Sequence, residues 1–324
     1  MMKRAVILPI LIAFTFSIPL SAQTLGSWER VVHRTEFTLW DIAFTDSLRG
    51  NIVGDYGVIM RTTDGGNSWT QQLSSDQFAF RNLHYFDDSV GVAAGFRGTF
   101  HRTTDAGASW TRIALPDARN YPGMSVAGSA IWLCGEEGSI LKSTDRGSTW
   151  TALTSGTDAM LSSISFADAQ HGWCASVQRS LLHTSDGGAT WKEQPLDSFL
   201  PVTTVLARSP QECWLAGYHG LVMRTTDGGA QWQRIPAYET DYVRLAFDDT
   251  GRGWAVGKRG AVVRGEQNNM QWKLHDLTDA KTLHGITFLP NNRAIAVGEF
   301  GAVYLLDAVY LPDAMTPASP VPGK

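Results

Sequence analysis

The chain has 324 residues, 43% hydrophobic and 18% charged, with 32 glycines, 12 tryptophans and a formal net charge of −4. That composition is globular and excludes a disordered or collagen-like chain. The mild acidity, with no basic stripe, argues against nucleic acid as a partner.

Residues 1–22 read as a secretory signal. Lys3 and Arg4 precede the apolar run "AVILPILIAFTF", and "PLSA" before Gln23 offers a small residue at the cut. Pro9 and Pro19 break the short run, which argues against a membrane anchor. No cysteine follows it, so no lipoprotein signal is present. Loss of Lys3 and Arg4 takes the net charge from −4 to −6. The expectation is an exported protein, periplasmic or extracellular after cleavage.

A decapeptide then recurs: "RTTDGGNSWT" from Arg61, "RTTDAGASWT" from Arg102, "KSTDRGSTWT" from Lys142, "HTSDGGATWK" from His183 and "RTTDGGAQWQ" from Arg224, with a degenerate "RGEQNNMQWK" from Arg264. Its aspartates are Asp64, Asp105, Asp145, Asp186 and Asp227, followed by Gln267, at intervals of 41, 40, 41, 41 and 40 residues. Seven residues before each aspartate ends a G-x-x-G turn, replaced by "SVQR" at residues 176–179. Ahead of that turn runs a strand holding Trp132, Trp173, Trp214 and Trp254, and earlier still an alternating strand such as "IAFTDS" or "LAFDDT". Four short strands in about 41 residues make one propeller blade.

A seventh unit begins at "ITFLPNNRAIAVGEFG" but lacks its last strand. "GSWERV" at residues 26–31 resembles that outer strand, so the N-terminus is expected to complete the seventh blade and remove an open edge. The sequence therefore predicts an all-β, seven-bladed β-propeller of four-stranded antiparallel blades over residues 23–310. A proline-rich tail follows at residues 311–324. Cys134, Cys174 and Cys213 lie in apolar strand-like runs and read as buried thiols.

The S/T-x-D-x-G-x-x-W core is similar to the Asp-box, or bacterial neuraminidase repeat. With the upstream G-x-x-G and the R-T-x-D-G-G spelling, the unit resembles the photosystem II stability and assembly factor family over roughly residues 23–310. That resemblance implies a non-enzymatic propeller that assembles or stabilises an envelope or membrane complex, with an arginine-rich surface.

The repeated residues read as structural: Asp64, Trp69, Asp105, Trp110, Asp145, Trp150, Asp186, Trp191, Asp227 and Trp232. Each aspartate is expected to accept amides two or three residues on, and each tryptophan to seal its hairpin. On that reading Trp150→Ala costs about 3–5 kcal/mol. The basic column Arg61, Arg102, Lys142, His183, Arg224 and Arg264 is either a blade-to-blade support or a positive ring for an acidic or carboxyl-terminated partner.

The tips of the G-x-x-G turns vary while their frame repeats, which is how a binding surface is written on a repeat scaffold. The candidate partner-binding residues are Tyr56, Phe96, Arg97, Arg179, Tyr218, His219, Lys258, Arg259 and Phe300, joined by Arg61, Arg102 and Arg224 of the basic column. The expected partner is a protein, bound by a monomer, with a glycan as the alternative. A sialidase-like glycosidase is the competing class, because Asp-box propellers include many. "QRIP" at residues 233–236 sits after an Asp-box rather than ahead of the first, and Asp87-Asp88 and Asp248-Asp249 read as turn residues. No H-E-x-x-H and no strand-to-helix phosphate loop occurs, so no metal and no cofactor are expected.

Overall fold

The computed structural model describes residues 28–31, 35–72, 78–196, 200–266, 268–277, 281–290 and 293–307. The signal segment, Gln267 and the proline-rich tail lie outside the described residues.

Seven four-stranded antiparallel sheets follow one another around a ring. Their innermost strands are Leu39–Phe44, Phe80–Tyr85, Gly123–Ala127, Leu161–Phe166, Val202–Ala207, Tyr242–Phe247 and Leu283–Leu289. Each is the first strand of its blade and contacts the first strand of the next, and the seventh returns to the first. The second strands of blades one to six, such as Gly91–Gly95, are buried along their whole length. The fourth strands carry the exposed rim.

The ring closes as the sequence predicts. Strand Glu29–Arg30 pairs antiparallel with Ala302–Asp307 of the seventh blade, in the register Glu29↔Leu305 and Arg30↔Tyr304. The Val31 N–H donates to the Val303 carbonyl at 2.8 Å. Trp28 is 7% exposed and packs with Trp254 of blade six and Leu283 and Tyr304 of blade seven. The N-terminal strand therefore anchors two blades at once.

Blades are joined by aliphatic packing and by aromatic contact. Trp132, Trp173, Trp214 and Trp254 are 1% exposed or less. Trp132 of blade three stacks on Phe166 of blade four at 3.7 Å and 8°, and Trp214 and Trp254 meet Phe247 and Phe288 of the blades that follow them. Such pairs add about 0.5–1.5 kcal/mol beyond their area. Cys134, Cys174 and Cys213 are buried and free, as expected from their apolar runs.

The Asp-box is a corner that locks onto the blade before it. In blade three the Ser143 hydroxyl donates to Asp145 Oδ1 (2.8 Å) and accepts the Gly147 N–H (2.9 Å). The Thr149 N–H donates to Asp145 Oδ1 and its hydroxyl to Oδ2, at 2.9 and 2.6 Å. The boxes of Asp64, Asp105, Asp186 and Asp227 repeat the amide bond to the residue four further on. Asp145 also accepts the Ser148 N–H at 2.9 Å, so the reach is three residues, as expected, and extends to a fourth, because two successive left-handed residues (Gly65 and Gly66 at φ 71° and 85° in blade one) lengthen the loop. The second of them abuts the preceding blade: a side chain at Gly66 would meet Ile295, and one at Gly147 would meet Phe100. Donors from the preceding blade also reach the corner carbonyls, as Trp132 Nε1 and Lys142 Nζ do to Gly187 O at 3.0 and 2.9 Å.

The box tryptophans Trp69, Trp110, Trp150, Trp191 and Trp232 are half-buried, not buried. Each stands just before the outer strand, and the Trp69 and Trp150 indoles donate back to their own turns at Gly66 O and Gly147 O. Trp150 also meets Phe100 of the preceding blade edge-on at 4.9 Å. A half-exposed ring places Trp150→Ala below the fully buried range, at about 2–3 kcal/mol. In blade six, where the box is degenerate, Asn269 takes over: its amide bridges Gly253 N and Gly251 O at 2.7 and 2.8 Å, and Trp272 becomes buried.

Hydrogen bonds from the Thr149 hydroxyl and N–H hold the Asp145 carboxyl down at about 2, and Thr190 does the same for Asp186. A depressed folded-state pKa means stability present above the ordinary value of 3.8 and lost as pH falls through about 2. Urea titrations at pH 4 and pH 2 are therefore expected to show a smaller acid loss of stability for Asp145→Asn than for the unaltered chain. Equal losses would remove the carboxylate from the account.

Candidate functional site

Each inner strand except that of blade three carries a β-bulge after its first residue, at Leu39/Asp41, Phe80/Asn82, Leu161/Ser163, Val202/Thr204, Tyr242/Arg244 and Leu283/Gly285. A bulge leaves one residue without a partner and re-aims its side chain. The bulged residues are Trp40, Arg81, Ser162, Thr203, Val243 and His284, and all line the central channel, a cavity of about 880 Å³. One wall is hydroxyl-rich. The other, across blades six, seven, one and two, carries Arg244, His284, Trp40 and Arg81.

That charged wall is tightly ordered. Trp40 donates its indole N–H to Asp55 Oδ1 at 2.6 Å. The Arg81 guanidinium lies 3.3 Å from the Trp40 ring centre and 5.1 Å from that of Phe96, and the His284 ring lies 3.9 Å from Trp40. Arg244 pairs with Asp41 at 3.1 Å, and Asp41 also accepts the Leu83 and Ile42 amides at 3.0 Å. Burial pushes the Asp41 carboxyl up against the pull of Arg244. Burial brings Arg81 down to about 10, and burial with the charges of Arg81 and Arg244 brings His284 down to about 3. His284 is therefore neutral at physiological pH.

The varied tips surround the mouth of this channel. Phe96, Tyr218 and Lys258 line it directly, with Val177 and Glu299. His219, Lys258 and Arg259 share a second recess of about 530 Å³ beside it with Tyr238 and Asp241. Tyr56, Val177 and Phe300, at the tips of blades one, four and seven, are 68%, 50% and 63% exposed. Tyr56 packs on Phe37 at 5.0 Å, Arg97 lies over Phe78 at 5.2 Å and Lys258 over Tyr218 at 5.3 Å. Lys258 also pairs with Asp241 at 2.7 Å. Arg179 is exposed at the tip of blade four.

The basic column stands apart from this face. Lys142, His183, Arg224 and Arg264 are the cross-strand neighbours of Trp132, Trp173, Trp214 and Trp254. Lys142, Arg224 and Arg264 lie 5.0, 5.1 and 5.9 Å from those rings, and Arg224 pairs with Glu212 at 2.8 Å. Arg61 and Arg102 face Asn51 and Val92 instead. The column sits toward the Asp-box ends of the third strands, so the structure does not bring Arg61, Arg102 and Arg224 together with the tips. Four of its six members make the contacts of a support.

The channel residues Trp40, Arg81, Arg244 and His284 are absent from the sequence-derived set. Their signal is a broken alternation: "LWDIAF", "FRNLHY", "LSSISF", "VTTVLA", "YVRLAF" and "LHGITF" keep an apolar first and fourth residue around two varied ones.

Tyr56, Arg97, Glu137, His219, Arg259 and Phe300 have φ between 52° and 58°, the left-handed region that favours glycine. Glycine would close these turns with less strain, which makes the side chains there candidates for a role beyond the turn. Arg259→Gly and Phe300→Gly are accordingly expected to change unfolding free energy by less than about 1 kcal/mol, relief of strain offsetting added chain entropy. A larger loss in a thermal melt would make those side chains structural.

No curated protein matches the chain by sequence. Among solved structures, "YCF48 bound to D1 peptide" superimposes with a TM-score of 0.73 at 19% identity, covering 90% of this chain and 99% of that one. YCF48 from Cyanidioschyzon merolae gives 0.72 at 19%, covering 88% and 100%. The WD40 propeller domain of Doa1 gives 0.73 at 10%, covering 87% and 97%. At these identities the likeness is one of fold. The sequence itself matches the family described as Photosynthesis system II assembly factor YCF48 over residues 20–157 and 146–240. Blade repeat, ring closure and sequence match agree, and the chain belongs to that family.

Proposed function

We propose that the chain is a non-enzymatic, exported propeller that captures a protein partner across the channel mouth, in the assembly or stabilisation of an envelope or membrane complex. The observation that carries this reading is the convergence of the varied tips on one face. Six of the seven turns present Tyr56, Phe96, Tyr218 and Phe300 with Arg97, Arg179, His219, Lys258 and Arg259 on the face where the channel opens. Aromatic residues and arginine are the usual anchors of protein interfaces. The structure of a family member carrying a D1 peptide is consistent with a peptide-binding propeller. Export rests on the signal read at residues 1–22.

The carboxylates around the channel speak against a glycosidase. Asp41 is held by Arg244 and two amides, and Asp55 by the Trp40 indole. Asp241 is held by Lys258 and the His219 amide, and Glu299 by the Thr282 amide. A hydrolytic pair needs one free carboxylate base or nucleophile and one proton donor flanking a bond. Asp87 and Asp248 bind the amides of their own turns, so both serve as turn residues. Hydrolysis of a fluorogenic glycoside by micromolar protein would reverse this conclusion.

Arg97→Glu, Lys258→Glu and Arg259→Glu combined are expected to leave the blades intact, since among the described residues the only ion pair lost is the exposed Lys258–Asp241, worth about 0–1 kcal/mol. Crosslinking in the native cell envelope followed by mass spectrometry is expected to recover a membrane-complex subunit with the unaltered chain. The triple variant should give a much reduced yield at nearly the same melting temperature. Equal yields would move the binding surface to another face, and glycan enrichment would favour the carbohydrate reading.

A further inference from the structure

Two polar groups lining the channel, His284 and the half-buried Arg81, have side-chain nitrogens with no hydrogen-bond or ion-pair partner among the described residues. The Arg81 guanidinium makes no hydrogen bond or ion pair among the described residues, although it is stacked between Trp40 and Phe96. His284 is 7% exposed, and neither of its ring nitrogens has a hydrogen-bond partner. Both rest against the Trp40 ring, and both are bulge residues aimed into the channel. Buried polar groups in native proteins are satisfied with few exceptions, and the two His284 nitrogens are such an exception, which calls for an explanation. Here the unpaired groups are adjacent, held by one indole, and at least one is a fixed cation.

We propose that Arg81 and His284 form a carboxylate-binding site on the Trp40 platform within the central channel. Arg81 supplies a planar fork of N–H donors, which matches a carboxylate bidentately. Stacking on Trp40 fixes that fork before any ligand arrives, so little side-chain entropy is lost on binding. His284 supplies one N–H from its neutral ring. The other charges nearby are already committed. Arg244 is paired with Asp41, and Asp55 is bound to the Trp40 indole without an ion pair to Arg81. A planar monoanion completes this wall. A phosphate dianion would place a second negative charge between Asp41 and Asp55. The ligand group is either the free C-terminus of a peptide threaded into the channel or a small free carboxylate. The hydroxyls of Ser162 and Thr203 on the facing wall suit an extended peptide backbone.

The site uses none of the exposed tip side chains replaced in the capture variant, so it stands or falls separately from partner capture at the mouth. Calorimetric titration of the full chain uses three probes: an N-acetylated alanine tripeptide with a free C-terminus, the same peptide amidated, and sodium acetate. The free acid is expected to bind about tenfold or more tightly than the amide. Arg81→Gln is expected to abolish that difference, and His284→Phe, which keeps the stack on Trp40, to reduce it. Acetate competing at the same strength as the free-acid peptide assigns the site to small carboxylates; acetate failing to compete assigns it to peptide termini. Where Arg81→Gln fails to fold, the acid–amide difference and His284→Phe decide. Absent binding, equal binding of acid and amide, or a difference untouched by both variants overturns the proposal.

Discussion

The whole ring depends on two ladder pairs at its seam. Strand Glu29–Arg30 fills the place of the fourth strand in the seventh blade, and Trp28 wedges between blades six and seven. Closure through the far end of the chain means that no blade can splay without breaking pairs about 275 residues apart in sequence, a separation whose loop entropy is large once lost. The inner strands need that constraint, because the hydrogen bonds that join them use side chains. Ser163 and Ser165 accept the Val205 and Ala207 amides, Ser125 the Phe166 amide, and Asp41 the Leu83 amide. A ring stitched in this way holds its channel open at a fixed width.

The Asp-box occupies the other end of blades one to five and does a second locking job. Its corner carbonyls and close-packed glycines meet the preceding blade, which is why its letters recur with so little change. With stability invested there, the opposite ends of the same hairpins are released from it. They carry side chains that the turn itself disfavours, at left-handed angles, around the channel mouth. Fold and recognition thus sit at opposite ends of one repeated hairpin.

Most of the architecture was legible in the sequence because its determinants are periodic. The 40- or 41-residue spacing of the aspartates fixed blade length, and Trp28 with its neighbours marked the missing strand. Two features escaped. The burial of the box tryptophans was overestimated, since an aromatic that starts an outer strand covers its own turn with one face and meets solvent with the other. The channel residues Trp40, Arg81, Arg244 and His284 were missed because a β-bulge shifts the inside–outside alternation by one, and a strict period of two does not register it. Of the two readings the sequence left open for the basic column, the structure favours support: four of its members are cross-strand neighbours of the tryptophan column and lie against its rings.

The central claim is that recognition happens at the channel mouth and not at the Asp-box face. A photo-crosslinking amino acid placed at Tyr218 or at Phe300 reports on the mouth, and one placed at Asn67 or Arg146 reports on the opposite face. Irradiation in the native envelope is predicted to give the same discrete protein adduct from both mouth positions and none from the Asp-box positions. A discrete adduct from Asn67 or Arg146, with none from Tyr218 and Phe300, would contradict the account.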